Sequence, residues 1–134
     1  MDYQMKILVV EDNLTTRLFI KKSLKKLGFA NIVLADDGTH ALIEMKRAKF
    51  DLILSDWNMP NMDGLYFLQE VKKIKEVKNT PFILITAETD VQKVREAMRA
   101  GVDQYIVKPF SPSALEARIK QAFGETAFRP PRIS

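Results

Sequence analysis

The amino-acid sequence predicts an α/β fold: a doubly wound, five-stranded parallel sheet with helices on both faces. Three observations carry this. Five short apolar runs, at 6–10, 32–35, 52–54, 82–85 and 105–107, are continuous rather than alternating, as strands buried on both faces require. Segments of helical period follow each of them, every one with a single apolar stripe. The connections are short, and strand–helix–strand units joined in this way build a parallel sheet.

Each element has its own signals. The first run ends in Glu11-Asp12, and the helix predicted over 14–27 carries Leu14, Leu18, Leu24 and Leu27, with Gly28 where it should stop. The second run, read as an edge strand, leads only to the turn Asp36-Asp37-Gly38, and Ala41, Leu42, Met45 and Ala48 mark a helix over 39–48. The third run delivers Asp56, after which Phe67, Leu68, Val71 and Ile74 predict a helix over 65–75. The fourth is followed by Thr86-Ala87-Glu88 and by a helix over 90–100 with Val91, Val94, Ala97 and Met98, closed by Gly101. After the fifth come Lys108-Pro109-Phe110, then Ser111 as N-cap, Pro112 at the first helical position, and Leu115, Ile119, Ala122 and Phe123 in a helix over 112–123. Residues 1–123 are therefore read as one domain. Residues 124–134, with Pro130-Pro131 and no periodicity, are read as a flexible tail, the other reading being a linker toward a further domain.

Composition narrows the function classes. The 134 residues suffice for one core, 28% are charged and 46% hydrophobic, and no apolar run approaches the ~20 residues of a membrane span. There is no cysteine, which removes disulfides and thiolate metal sites, and the first residues lack a signal-peptide core, so a cytoplasmic, monomeric protein is expected. The net charge of +4 raises nucleic acid as a partner, but acids are interspersed with the bases and no second helical domain follows residue 123. The densest basic cluster, Arg17, Lys21, Lys22, Lys25 and Lys26, is either a solvated helix face or a docking surface for an acidic protein.

In open parallel sheets, ligands bind beyond the carboxyl ends of the strands. There this chain places Glu11, Asp12, Asp56, Thr86 and Lys108. A carboxylate at the tip of a buried strand must be neutralised, hydrogen-bonded or paired. Three converging acids repel one another unless a hard divalent cation sits among them, and magnesium, with its preference for a few carboxylates plus phosphate oxygens, suits such a site. With Lys108 as a point charge and Thr86 as a hydroxyl, the site can stabilise a phosphoryl group transferred to the Asp56 carboxylate. Taken singly, Asp12 is equally a helix cap, Thr86 a turn residue and Lys108 a solvated strand end. Five at the tips of four strands form a constellation.

Those residues resemble the receiver domains of two-component response regulators, over about residues 5–123. The signatures are Val9-Val10-Glu11-Asp12, Ser55-Asp56, Met59-Pro60 with Asp63-Gly64, Thr86-Ala87, and Lys108-Pro109-Phe110. The stretch Asp56-Trp57-Asn58-Met59-Pro60-Asn61-Met62-Asp63-Gly64 is most similar to single-domain chemotaxis regulators of the CheY type. The resemblance, not the residues, implies the flavodoxin-like strand order 2-1-3-4-5. It implies that Asp56 accepts phosphoryl from a histidine kinase, and that Glu11, Asp12, Asp56 and the Asn58 backbone carbonyl surround Mg2+. Lys108 and Thr86 would contact the phosphoryl group, and Tyr105 would be an aromatic switch turning inward as Thr86 moves. The Lys108-Pro109 bond resembles one the family holds cis. Glu11 stands where CheY-type relatives often carry Asp, which lengthens one arm of the metal site. New hydrogen bonds to a charged group contribute roughly 1.5–3 kcal/mol each, so Thr86 and Lys108 supply about 3–6 kcal/mol. A shift from 1:99 to 99:1 needs about 5.5 kcal/mol, so partner binding is expected to complete the switch.

Three functions compete at this stage. One is a phosphorylation-controlled binding module acting on a protein such as a flagellar motor component, through a face including Arg95, Arg99, Tyr105 and Arg118. Another is a phosphorelay intermediary that passes phosphoryl to a histidine phosphotransfer protein from the lysine-rich first helix, or the receiver portion of a longer regulator. The third is a phosphatase of the haloacid dehalogenase type, which needs an acid two residues after its nucleophile. Asn58 stands there, so the chain is not expected to be an enzyme beyond accepting phosphoryl and hydrolysing its own aspartyl phosphate, with Asn58 and Glu88 beside the water path. A flavin site is disfavoured by the acidic first loop. Tyr105 alone also reads as an amphipathic strand-end residue, Trp57 as a partly exposed neighbour of the site, His40 as a surface residue, and Met59 and Met62 as loop packing.

Overall fold

A computed structural model describes residues 1–87 and 91–124. The elements alternate without exception: β1 (Lys6–Val10), α1 (Leu14–Lys26), β2 (Asn31–Ala35), α2 (Gly38–Arg47), β3 (Leu52–Asp56), α3 (Gly64–Lys72), β4 (Phe82–Thr86), α4 (Val91–Arg99), β5 (Gln104–Val107) and α5 (Pro112–Ala122). All strand pairs are parallel, in the order β2-β1-β3-β4-β5, so the predicted fold class and the order implied by the resemblance are both found.

Burial follows the two-residue period of the strands. Leu8, Val10, Ile53, Phe82 and Leu84 face one side and pack with Ala41 of α2, Phe67, Leu68 and Val71 of α3 and Ala97 of α4. Ile7, Val9, Leu52, Leu54, Ile83 and Ile85 face the other and pack with Ile20 and Leu24 of α1 and Leu115 and Ile119 of α5. β3 and β4 are buried along their whole length and β1 nearly so, whereas the edge strands β2 and β5 are only partly covered.

Caps fix where the helices begin. Asn13 caps α1 by accepting from the Thr16 amide, so the cap falls one residue beyond Asp12. Asp37, Asp63 and Ser111 do the same for α2, α3 and α5, and Pro112 opens α5 as expected. Gly28 and Gly101, at φ 108° and 96°, occupy the left-handed conformation that ends α1 and α4.

Three expectations are corrected. In α1 the buried residues are Ile20, Ser23 and Leu24, while Leu14 and Leu18 are 58% and 50% exposed. Leu18 lies about 160° round the helix from Ile20, so the four leucines never formed one stripe. In α4 only Ala97 is buried, and Val91 and Met98 face solvent, so its apolar positions do not form one buried stripe. The third helix ends at Lys72 rather than 75, and Ile74 lies half-buried in the hydrogen-bonded turns that follow. The 124–134 segment lies outside the described residues from 125 onward, as does Glu88.

Candidate functional site

The register of the central strands sets the site. Val10 pairs with Ser55 and Asp56 with Ile85, so Glu11, Asp56 and Thr86 emerge side by side at the carboxyl edge of β1, β3 and β4. Lys108, one residue beyond β5, donates its amide to the Thr86 carbonyl at 2.8 Å and is thereby held on the same edge. The following Lys108-Pro109 bond is cis.

Glu11, Asp12 and Asp56 each offer a carboxylate oxygen within 4.8 Å of the others. Lys108 Nζ lies 2.8 Å from Asp56 Oδ1 and 3.0 Å from Glu11 Oε1, bridging the two buried acids, while Asp12 is exposed at the rim. The extra methylene of Glu11 is put to use here: one oxygen reaches Lys108 and the other accepts the Asn13 amide at 3.2 Å. Thr86 is buried, Asn58 is exposed two residues past the acceptor position, and Tyr105 is half-buried in β5.

Burial pushes the Asp56 carboxyl above its ordinary range, against the hydrogen bond and charge of Lys108, and the neighbouring Asp12 adds to the rise. Glu11 is likewise raised, first by burial and then, after the opposing Lys108 hydrogen bond, by Asp56. For Lys108, burial is the largest single influence and favours loss of the proton, but the hydrogen bonds and charges of Asp56 and Glu11 together outweigh it and raise its pKa. One ammonium thus incompletely compensates three clustered acids. An all-oxygen set of this kind, two of its members disfavoured as anions, fits a hard divalent cation.

Three contributions escaped sequence reading. Arg17, grouped there with the lysines of α1, is half-buried and donates from Nη1 to the Glu11 carbonyl at 2.8 Å, bracing the acidic turn. Its place in the first turns of α1, five residues past Asp12, was the available signal. Gly64 lies against the acceptor itself: a Cβ there would stand 2.3 Å from the Asp56 carbonyl oxygen and 2.8 Å from the Trp57 Cα. Trp57, expected to be partly exposed, is only 6% exposed. Its amide continues the sheet ladder to the Ile85 carbonyl, its carbonyl accepts from Gly64, and its ring joins Met59 and Phe67 in the core. Met59 is buried and Met62 packs beside it, as loop packing predicts. His40 is a surface residue paired with Asp36 at 3.0 Å.

Comparison with known proteins is consistent along the whole domain. Residues 7–120 match the family model described as the response regulator receiver domain. Chemotaxis protein CheY-3 of Vibrio cholerae is 43% identical over 119 residues, covering 89% of this chain and 92% of that protein. Chemotaxis protein CheY of Pseudomonas aeruginosa is also 43% identical over 119 residues, covering 89% and 96%. Among solved structures, the V. cholerae chemotaxis protein CheY4 superposes with a TM-score of 0.84 at 34% identity, over 89% of this chain and 98% of that one. The receiver domain of a P. aeruginosa sensor histidine kinase, determined with a magnesium ion coordinated in its active-site cleft, gives 0.81 at 29% identity, over 90% and 98%. With its strand order, its acidic edge and these relatives in agreement, the chain belongs to the response regulator receiver domains of two-component signalling, with CheY-type chemotaxis regulators among its relatives.

Proposed function

We propose that Asp56 is the phosphoacceptor of this receiver, and that its phosphorylation by a histidine kinase controls a protein contact, as in chemotaxis. The observation that carries the assignment is the 2.8 Å contact of Lys108 with a buried Asp56 that burial itself disfavours as an anion. A carboxylate oxygen of Asp56 attacks the phosphorus of the donor phosphohistidine, the P–N bond breaks, and the imidazole leaves. Lys108 and the Thr86 hydroxyl are the groups placed to take up the charge of the transferred phosphoryl oxygens. Tyr105 is the residue that responds.

Glu11, Asp12, Asp56 and the Asn58 carbonyl are the groups that would hold Mg2+, which when bound supplies charge neutralisation for the incoming phosphoryl group. The magnesium-bearing kinase receiver of the same fold supports this choice of ion. The only covalent chemistry in this reading is accepting and hydrolysing its own phosphoryl group, because Asn58 puts an amide where an esterase of similar architecture needs an acid. No helix among the described residues is long and apolar enough to cross a membrane, and we assign the chain to the cytoplasm, with a flagellar motor component as the target class.

The test is incubation with Mg2+ and a small acyl phosphate donor, followed by Trp57 emission and by mass measurement. A changed emission and an acid-labile phosphate that disappears in Asp56→Ala are expected. Unchanged emission with no phosphate on the protein would remove the assignment. Binding of a flagellar motor component that strengthens with beryllium fluoride would support the chemotaxis target, and transfer of phosphate to a histidine phosphotransfer protein would oppose it.

A further inference from the structure

We infer that Arg118 is a positioning residue that holds the Tyr105 ring in its resting place at the open edge of the sheet and so sets how much phosphoryl signal is needed to move it. This rests on the reading above, in which Tyr105 responds to events at Asp56. Tyr105 pairs in register with Leu84, and both pack into the core cluster shared by α2, α3 and α4. Thr86 lies two residues beyond Leu84, hence on the same face, so Tyr105 and Thr86 are diagonal neighbours on adjacent strands. Any rearrangement of Thr86 toward the acceptor changes the space beside that ring.

Arg118 comes from the other side. Its helix, α5, packs on the opposite face through Leu115 and Ile119, yet its guanidinium carbon sits over the Tyr105 ring, 5.7 Å from the centroid. Among the described residues β5 is the edge strand of the sheet, and the side chain reaches the ring past that edge. Two amides fix it there: Nη1 donates to Gln104 Oε1 at 3.3 Å and to Gln121 Oε1 at 3.2 Å. One anchor is on the strand that carries Tyr105 and the other is on α5. A guanidinium held in this way cannot follow the ring, so a ring that moves toward Thr86 gives up the cation–π contact. The contact therefore stabilises the resting state and raises the threshold for the switched one.

The experiment titrates the full chain with beryllium fluoride at saturating Mg2+, reading Trp57 emission. The ring itself is followed by fluorine NMR of 3-fluorotyrosine-labelled protein, in which Tyr105→Phe identifies the signal among the three tyrosines. Arg118→Ala is expected to respond at about two- to five-fold lower beryllium fluoride, the fold-change a half-exposed cation–π contact supports. Arg118→Lys keeps the charge without the two-amide anchor and should fall between. In a Tyr105→Ala background, Arg118→Ala should leave the half-saturating concentration unchanged, which separates an effect through the ring from a general loosening of α5. An unchanged or higher half-saturating concentration in Arg118→Ala, with the wild type responding normally, would overturn the inference. So would a shift that persists without Tyr105. If the wild type itself fails to respond, the phosphoacceptor reading falls first and the latch with it.

Discussion

Gly64 and Asp56 illustrate how single atoms define this site. The α3 helix begins against the backbone of the acceptor residue, with the Gly64 amide 2.7 Å from the Trp57 carbonyl and no room for a Cβ beside the Asp56 carbonyl. Neither neighbour is a flexible side chain, so Gly64→Ala must displace backbone. It should cost roughly 1–3 kcal/mol or more, as forced overpacking does, with urea unfolding as the measure; a midpoint equal to wild type would show that the loop yields freely. Asp56 carries the opposite lesson, since a functional side chain is kept where the fold disfavours it. Its pKa in the fold is raised, first by burial, above the ordinary 3.8. The stability it contributes is therefore full below that ordinary value and lost as pH rises through the raised one. In metal-free buffer at about pH 7, Asp56→Asn should melt a few degrees higher than wild type, and the gap should close as pH falls through the acid range. Melting curves with chelator at several pH values decide it, and a variant no more stable than wild type at neutral pH would contradict the sign.

At the scale of the element, α1 shows what a helix can conceal. Its buried side is Ile20, Ser23 and Leu24, and its exposed side includes Leu14, Leu18 and Phe19. Ile20→Ala and Leu24→Ala should each cost about 2–5 kcal/mol, whereas Leu14→Ala and Leu18→Ala should stay within roughly 0.5 kcal/mol. Chemical denaturation of the four variants checks this directly, and a large loss at Leu18 would mean that the leucine stripe expected from sequence packs after all. The strands were legible because β1, β3 and β4 are apolar on both faces and read as continuous apolar runs. The acids and the threonine were legible because each sits at the tip of such a strand, and the lysine because it follows the short apolar run of β5 directly ahead of a proline. Helix faces were less so: α1 carries apolar residues around much of its circumference, and α4 buries only Ala97. Arg17, Gly64 and Arg118 were illegible for another reason. What they do depends on contacts across the chain or on a close backbone approach, and none of that has a period.

For the whole molecule, acids and bases are interspersed along a chain of net charge +4, and three of the acids, Glu11, Asp12 and Asp56, meet at one end of the sheet. The surface as a whole is therefore basic, yet the site is acidic, with Lys108 shared between two carboxylates. A divalent cation held there links the metal to global stability, because ions that bind the folded chain stabilise it by mass action, about 2.7 kcal/mol at a hundred times Kd. The link is also to pH. Both buried acids hold their protons more tightly than free carboxyls do, Glu11 and Asp56 alike chiefly through burial, so magnesium must displace protons at low pH but not at high. The magnesium-dependent rise in melting temperature should consequently grow as pH rises from the ordinary carboxylate range toward neutrality and above, even as the metal-free protein loses the increment these two acids contribute. It should shrink sharply in Asp12→Ala, whose carboxylate lies at the exposed rim and can be removed without opening the core. Scanning calorimetry with and without magnesium across that range tests the whole linkage at once. A rise that is equal at every pH, or intact in Asp12→Ala, would place the stabilising ion somewhere other than this acidic edge.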